Sequence, residues 1–462
     1  MPCSLLSRPL TTAMSVLLFV FNSSCLTPDR EKRDDQEVLP HQTDPSKHVN
    51  FEPFKLEDDQ CGPSDGAGAI SKVRVHEFVG ELKSHTKPPA SGLSSENGLS
   101  SQGVAKVEFG FEAEANCTGP SEESCEDSVV VNRPVKLSIC REEADYQRGS
   151  LEEIALTTQD HLESFYSFYH ELSPEGPKIS PVLLELLPSI KRTYPGGSTT
   201  VSDNIAYGRM SNDHPVVILF PKSNVGEKLW PSHQLWESKW VMGHEAAHHI
   251  FDEHLTVSES PLRNLLSHQP ILNWDRAPQG FGLVGRQVTE RDIVSSVNEG
   301  FADLLSFYSV EENSHAFTGF NCFEKSRDPA WPRFKDGIQK RLNDYALGVF
   351  FSDSKQYSLD CTDTNLQDVH AIGAIIAHGF YQMFQGSDGA TKSIEWLKKI
   401  AELPNGQGPE VLLEQMIRAG VGVSVAPTDR LSKRQCEVVQ RVFPAYSEGL
   451  IEEFGKGECG DS

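Results

Sequence analysis

The sequence has no surplus of positive charge. Its 42 Lys and Arg stand against 66 Asp and Glu, for a net charge of −24, which argues against nucleic acid and anionic membrane surfaces as partners. It has no apolar run long enough to cross a bilayer as a mature helix. The run Val16-Leu-Leu-Phe-Val-Phe21 falls well short of the ~20 residues needed. It has no C-x-x-C pair of the kind that builds a structural zinc site, no internal repeat, and no clear small-x-small cleavage site behind its apolar N-terminal run. Its acidic residues are too dispersed to mark a calcium loop.

What stands at the N-terminus is a targeting segment over residues 1–25. Arg8 precedes the apolar run, and Asn22-Ser-Ser-Cys25 follows it. Small residues before a cysteine look like a bacterial lipoprotein signal, although an aliphatic residue usually stands where Asn22 does. On that reading Cys25 is the lipidated first residue and tethers the chain to a membrane. The alternative is an ordinary secretory signal. Either way the chain is exported, to the cell envelope or beyond it. Residues 26–60 are charged, contain several prolines and few apolar residues, and read as a flexible tether.

Beyond the signal lie eight cysteines: Cys61, Cys117, Cys125, Cys140, Cys322, Cys361, Cys436 and Cys459. In an exported chain an even number points to disulfides, and eight allow 105 connectivities. Grouping along the chain predicts pairing within 61–140, Cys322 with Cys361, and Cys436 with Cys459. Residues 61–145 have short β-rich runs such as Val73-Arg-Val-His-Glu-Phe-Val and Val104-Ala-Lys-Val-Glu-Phe-Gly-Phe, between Gly/Ser/Pro segments. They read as a small β domain, either an accessory module or a pro-segment. From 386 to 462 the apolar spacing is helical over Ser393–Leu403, Pro409–Gly420 and Leu431–Phe443, with Pro409 at a helix start and Gly420 at an end.

The chemistry is concentrated in residues 150–385. Trp240-Val-Met-Gly-His-Glu-Ala-Ala-His-His-Ile-Phe251 contains an H-E-x-x-H formed by His244, Glu245 and His248. Helical positions four apart differ by about 40° of rotation, so both imidazoles project from one face and can hold one metal ion. Glu245 lies one step round, within reach of a water on that metal. The neighbours Trp236, Trp240, Val241, Ile250 and Phe251 predict a buried helix, where two histidines and a glutamate need partners.

A catalytic zinc site uses three protein ligands, and the sequence offers two candidates for the third. His254 falls at the last position of H-E-x-x-H-x-x-G-x-x-H. Phe251, however, stands where the turning glycine should be. If the helix continues, His254 lies about 15 Å along the axis from His244, rotated by roughly 80°. The better candidate is Glu299 in Val297-Asn-Glu-Gly-Phe-Ala-Asp-Leu-Leu305. Glu299 and Asp303 share a helical face, and Thr289-x-x-Asp292 is a capping box ahead of the apolar run. Glu299 as ligand and Asp303 as hydrogen-bond partner of a ligand histidine would satisfy both carboxylates. A solvated acidic stripe is the plainer alternative, weakened by the apolar or small residues around it. His249 reads as surface or as support for the site.

A third segment, Asp368-Val-His-Ala-Ile-Gly-Ala-Ile-Ile-Ala-His-Gly-Phe-Tyr381, reads as a buried helix with Asp368 as N-cap and Gly386 as stop. His370 in its first turn could donate a hydrogen bond to the oxyanion of a tetrahedral intermediate. His378 is rotated away and has no assigned role.

These segments, in this order, resemble the thermolysin-type zinc metallopeptidases and their fungalysin relatives. His244-Glu245-Ala-Ala-His248 matches H-E-x-x-H, Asn298-Glu299-Gly-Phe-Ala-Asp303 matches N-E-x-x-[SA]-D, and Val369-His370-Ala-Ile-Gly373 matches V-H-x-x-[SG]. Ala155–Tyr166 resembles the first long helix of the family's catalytic domain. Asn204-Ile-Ala-Tyr207 resembles the edge strand that pairs with substrate backbone there. The resemblance covers roughly residues 150 to 450. After the small N-terminal β domain it implies a two-lobed metallopeptidase domain with a helical C-terminal lobe, an α+β chain as a whole. It implies one Zn2+ per chain on His244, His248 and Glu299, with Glu245 as general base and then proton donor. Asp303 would orient a ligand histidine, and His370 would stabilise the transition state. The implied activity is endopeptidase action on protein or peptide substrates. The rivals are an exopeptidase on the same zinc chemistry and a surface binding or adhesion protein that keeps the scaffold.

The departures are specific. The gap between His248 and Glu299 is far longer than in thermolysin itself. Residues 249–298 contain no tyrosine, whereas the family has one there that helps hold the oxyanion. His268 or Trp274 could substitute, or His370 could act alone. Asn365 stands where the family has an aspartate, leaving Asp363 or Asp368 for that place.

Overall fold

The computed structural model describes six strands between residues 73 and 131 as backbone. It then describes 151–186, 190–194, 197–201, 203–209, 215–221, 235–266, 289–310, 327–330, 369–384, 386, 388–425, 429–455 and 459. The targeting segment, Cys25 and the tether lie outside the described residues, as do His268, Trp274, Asp363, Asn365 and Asp368.

The strands are β1 (Val73–Phe78), β2 (Leu82–Lys87), β3 (Leu99–Ser100), β4 (Ala105–Phe109), β5 (Glu112–Cys117), β6 (Cys125–Val131), β7 (Val182–Leu186), β8 (Ile190–Tyr194), β9 (Gly197–Val201), β10 (Asp203–Arg209) and β11 (Pro215–Pro221). β1 and β2 form an antiparallel pair. A five-stranded sheet has the order β10-β11-β7-β4-β3 and a four-stranded one the order β6-β5-β8-β9. β4 pairs parallel with β7, and β5 parallel with β8. Both larger sheets therefore cross the boundary placed at 145. β10, which carries Asn204 to Tyr207, lies at the end of its sheet's strand order among the described residues.

The helices are α1 (Leu151–Leu172), α2 (Lys239–Val257), α3 (Glu290–Ser309), α4 (Val369–Met383), α5 (Gly389–Ala401), α6 (Pro409–Ser424), α7 (Lys433–Val442) and α8 (Ser447–Phe454). From Val369 onward every described element is helical, which gives the expected helical lobe. α2 starts where Ser238 caps it, its hydroxyl accepting the Val241 N–H at 3.3 Å. Every residue from Trp240 to Leu255 is buried, so this is a core helix. α3 opens on the predicted capping box, with Thr289 N–H donating to Asp292 Oδ2 at 2.8 Å and Thr289 accepting in return. Beside that box, the Glu290 carboxylate accepts the backbone N–H groups of Gly406, Gln407 and Gly408 at 2.8–2.9 Å. This ties the α5–α6 connection to the first turn of α3.

In the helical lobe the ring of Phe380 lies against Trp396 (centroids 4.3 Å apart) and Phe443, and the Trp396 indole donates to Met416 O at 2.9 Å. Cys436 and Cys459 form a disulfide, as their grouping predicts. Pro409 stands in the first turn of α6. Gly420 does not end that helix, which runs on to Ser424. A Cβ at Gly420 would come within 2.3 Å of the Phe380 ring, so the glycine serves close packing rather than termination.

The crossing of α3 and α4 positions the site. A Cβ at Gly373 would stand 2.6 Å from Glu299 Cβ and 2.7 Å from Gly300 N, and one at Gly300 would stand 2.6 Å from Gly373 O. Two glycines facing each other let the backbones approach until Glu299 and His370 share one space. Gly373→Ala forces them apart, at a cost of roughly 1–3 kcal/mol for overpacking. We expect a lower melting temperature together with weakened binding of a divalent metal ion, measured by thermal melts with and without added metal. An unchanged metal affinity would show that the crossing does not set the site.

Candidate metal centre

α2 carries His244, Glu245 and His248 to the centre of the core, and α3 brings Glu299 and Asp303 against them; all five are buried. His244 Nε2 lies 2.9 Å from His248 Nε2 and 3.3 Å from Glu299 Oε2, and His248 Nε2 lies 3.6 Å from the same oxygen. Among the described residues this is the group able to hold a metal ion. Ligands at about 2.0–2.2 Å from a tetrahedral ion stand about 3.4 Å apart, and these three atoms bracket that spacing.

The outer nitrogens explain the geometry. His244 Nδ1 donates to Asp303 Oδ1 at 3.0 Å, and His248 Nδ1 donates to Asn298 Oδ1 at 3.0 Å. Each bond fixes a tautomer and turns the Nε2 lone pair inward, the usual support for a metal-binding histidine. Two lone pairs and a carboxylate oxygen then converge where water is excluded, which is costly unless a cation or a proton lies among them. Burial and the neighbouring Arg327 oppose a proton on His244, but its bonds to Asp303 and Glu299 outweigh them and raise it to about 9. Burial lowers His248 to about 4. Burial also works against the charge on Glu299, yet His370, His248, His244 and Arg327 around it hold the carboxyl well below its usual range. A metal bound by these three atoms would release the proton that His244 otherwise favours.

Glu245 faces the same space. Its Oε2 accepts the backbone N–H of Tyr207 on β10 at 2.7 Å, while Oε1 has no hydrogen-bond partner among the described residues. Burial pushes this carboxyl up to about 7. The Tyr207 phenol donates to Asp252 Oδ2 at 2.6 Å, and its ring stacks over His249 and His248, with centroids 5.6 and 6.5 Å away. His370, in the first turn of α4, is buried with Nε2 3.5 Å from Glu299 Oε1.

The alternative ligand is elsewhere. α2 runs unbroken through Phe251 to Val257, and His254 accepts or donates at Nε2 with the Tyr169 phenol, 2.8 Å away. Burial lowers its pKa to about 4. His249 is not on the surface: it is fully buried, with Nδ1 2.7 Å from the Tyr166 phenol. A histidine next to a ligand on an all-round buried helix has no solvent side to face. His378, without an expected role, has Nδ1 2.9 Å from Pro329 O and Nε2 2.7 Å from Gln382 Nε2.

Sequence reasoning missed Arg327. Its Nη2 donates to Asp303 Oδ1 at 2.9 Å and to Glu299 Oε2 at 3.0 Å, and lies 3.1 Å from His244 Nε2. Its guanidinium carbon lies 5.7 Å from the centre of the Trp240 ring. No motif surrounds it. The available signal was a charge count, because Glu245, Glu299 and Asp303 buried together exceed what one divalent ion neutralises.

No protein-family model matches the chain, and no curated protein matches it.

If His244, His248 and Glu299 hold a metal ion, Glu299→Ala is expected to abolish its binding, and His254→Ala to keep it while losing the bond to Tyr169. Metal content of the two purified variants checks this, and the opposite pattern would move the third ligand to His254.

Proposed function

We propose that this chain is an exported zinc endopeptidase of the thermolysin type, acting on proteins or peptides. The observation that carries the reading is the convergence of His244, His248 and Glu299 with Glu245 beside them. Two imidazoles and one carboxylate are a donor set suited to catalytic zinc, with a position left for water. Asn298 and Asp303, each bonded to the outer nitrogen of a ligand histidine, support the same reading.

Bound zinc would polarise the scissile carbonyl and acidify water. Glu245 takes the proton of the attacking water and passes it to the leaving amine. His370, bordering Glu299, donates to the developing oxyanion. Arg327 supplies a permanent positive charge beside Glu299 and Asp303, offsetting the excess of carboxylates. β10, next to Glu245 and last in its sheet's strand order among the described residues, is the strand to which an extended peptide would add.

The Cys436–Cys459 disulfide favours an oxidising compartment and so supports export. The lipidated Cys25 completes that reading as a membrane tether. No helix among the described residues is long and apolar enough to cross a membrane. A binding protein that merely kept the scaffold would have no use for Glu245 buried against the ligands.

The purified, zinc-loaded protein is expected to cleave an unfolded protein within its chain and to stop when a chelator removes the metal. Glu245→Gln is expected to keep zinc and lose peptide hydrolysis. Retained hydrolysis in that variant sinks the mechanism. The pH profile gives a second check. A general base must be ionised, so activity falls as pH drops through the pKa of Glu245. Burial sets that value at about 7, and a bound cation draws it down. The acid limb of kcat/KM should therefore lie no higher than about pH 7, with a slope of about tenfold per unit. A limb that rises toward acid would exclude Glu245 as base.

A further inference from the structure

Tyr207 touches α2 at two points nearly two turns apart. Its backbone N–H reaches Glu245 Oε2 at 2.7 Å, and its phenol reaches Asp252 Oδ2 at 2.6 Å. Between them the ring lies along the helix, stacked on His249 and His248 at interplanar angles of 28° and 21°. Asp252 is itself buried, and the Thr256 hydroxyl is 3.5 Å from its Oδ1. The side chain of Tyr207 thus spans the helix from its base to an anchor seven residues further on.

β10 pairs with β11, Tyr207 opposite Val217, and stands at the end of its sheet's strand order among the described residues. Its placement against α2 therefore depends on contacts such as those of Tyr207 as well as on the sheet ladder. The Glu245 side chain has several rotatable bonds and, among the described residues, is held at Oε2 by the Tyr207 N–H. Whatever fixes the height of Tyr207 N along α2 fixes the direction in which Oε1 points.

We propose that Tyr207 and Asp252 form a clamp that positions the general base. The phenol–carboxylate bond locks β10 against α2, so that the Tyr207 N–H holds Oε2 and leaves Oε1 as the oxygen that takes the proton. The inference rests on the endopeptidase reading of the same site. Tyr207 and Asp252 are positioning residues: they act through Glu245 and touch no reacting atom. A small misplacement of a base is enough to cost a large part of its rate contribution.

The test uses the full zinc-loaded chain and the variants Tyr207→Phe, Asp252→Ala, Asp252→Asn and the double variant Tyr207→Phe/Asp252→Ala. Tyr207→Phe keeps the ring stack and the backbone N–H and loses only the phenol bond. It should lower kcat roughly tenfold, with KM within about twofold and zinc content unchanged. Asp252→Ala should do the same, and the double variant should be no worse than either single change. Asp252→Asn, whose amide oxygen still accepts the phenol hydrogen, should recover most of the loss seen with alanine. A merely structural role would lower the melting temperature or the zinc content while leaving kcat per bound zinc unaltered, and that result overturns the proposal. Losses that multiply in the double variant also overturn it. Should wild type cleave and Glu245→Gln not, while Tyr207→Phe matches wild type, the function stands and the clamp falls. Absence of cleavage by the wild type overturns the functional reading and the clamp with it.

Discussion

Three acceptor atoms, His244 Nε2, His248 Nε2 and Glu299 Oε2, are held within 2.9–3.6 Å of one another in a buried space. Lone pairs at that range repel unless a positive charge lies among them. The rest of the structure can be understood as what keeps them there. Asp303 and Asn298 bind the outer nitrogens and prevent the rings from turning away. Arg327 balances the carboxylates. Gly300 and Gly373 give up side chains so that α3 and α4 can meet close enough to place Glu299 between the histidines and His370. Each device opposes a repulsion that the cluster creates, which is why so many charged and polar groups are buried around one point.

Much of this was legible along the chain because it follows from helical spacing. Residues four apart share a face, so His244 with His248 and Glu299 with Asp303 could be paired without coordinates. Phe251 in place of a glycine implied a helix that runs on through His254, as α2 does to Val257. The capping box at Thr289 and Asp292 marked the start of α3 to the residue. These features are local, and local features survive tertiary packing.

What escaped the sequence is non-local. Arg327 belongs to no motif, and only the folded chain brings it to residues 24 to 83 positions away. His249 could be read as surface or as support for the site; α2 is buried throughout from Trp240 to Leu255, and His249 and His254 each meet a phenol from α1. Gly420 fits a terminator by rule, yet a ring from another helix claims its space. The parallel pairings of β4 with β7 and β5 with β8 join strands on opposite sides of α1, and no periodicity within either stretch reveals such a partner.

The grip of Glu290 on three successive backbone N–H groups at 406–408 has a mechanical meaning. It bolts the connection between α5 and α6 to the same helix that carries Glu299, with charge-assisted bonds at the outer end and the glycine crossing at the inner one. α3 is thereby tied to the helical lobe at both places. On the opposite wall Tyr207 fastens β10 to α2, through its N–H on Glu245 and its phenol on Asp252. The third candidate ligand and the base are thus held from different elements, Glu299 by a helix tied to the lobe and Glu245 by a strand.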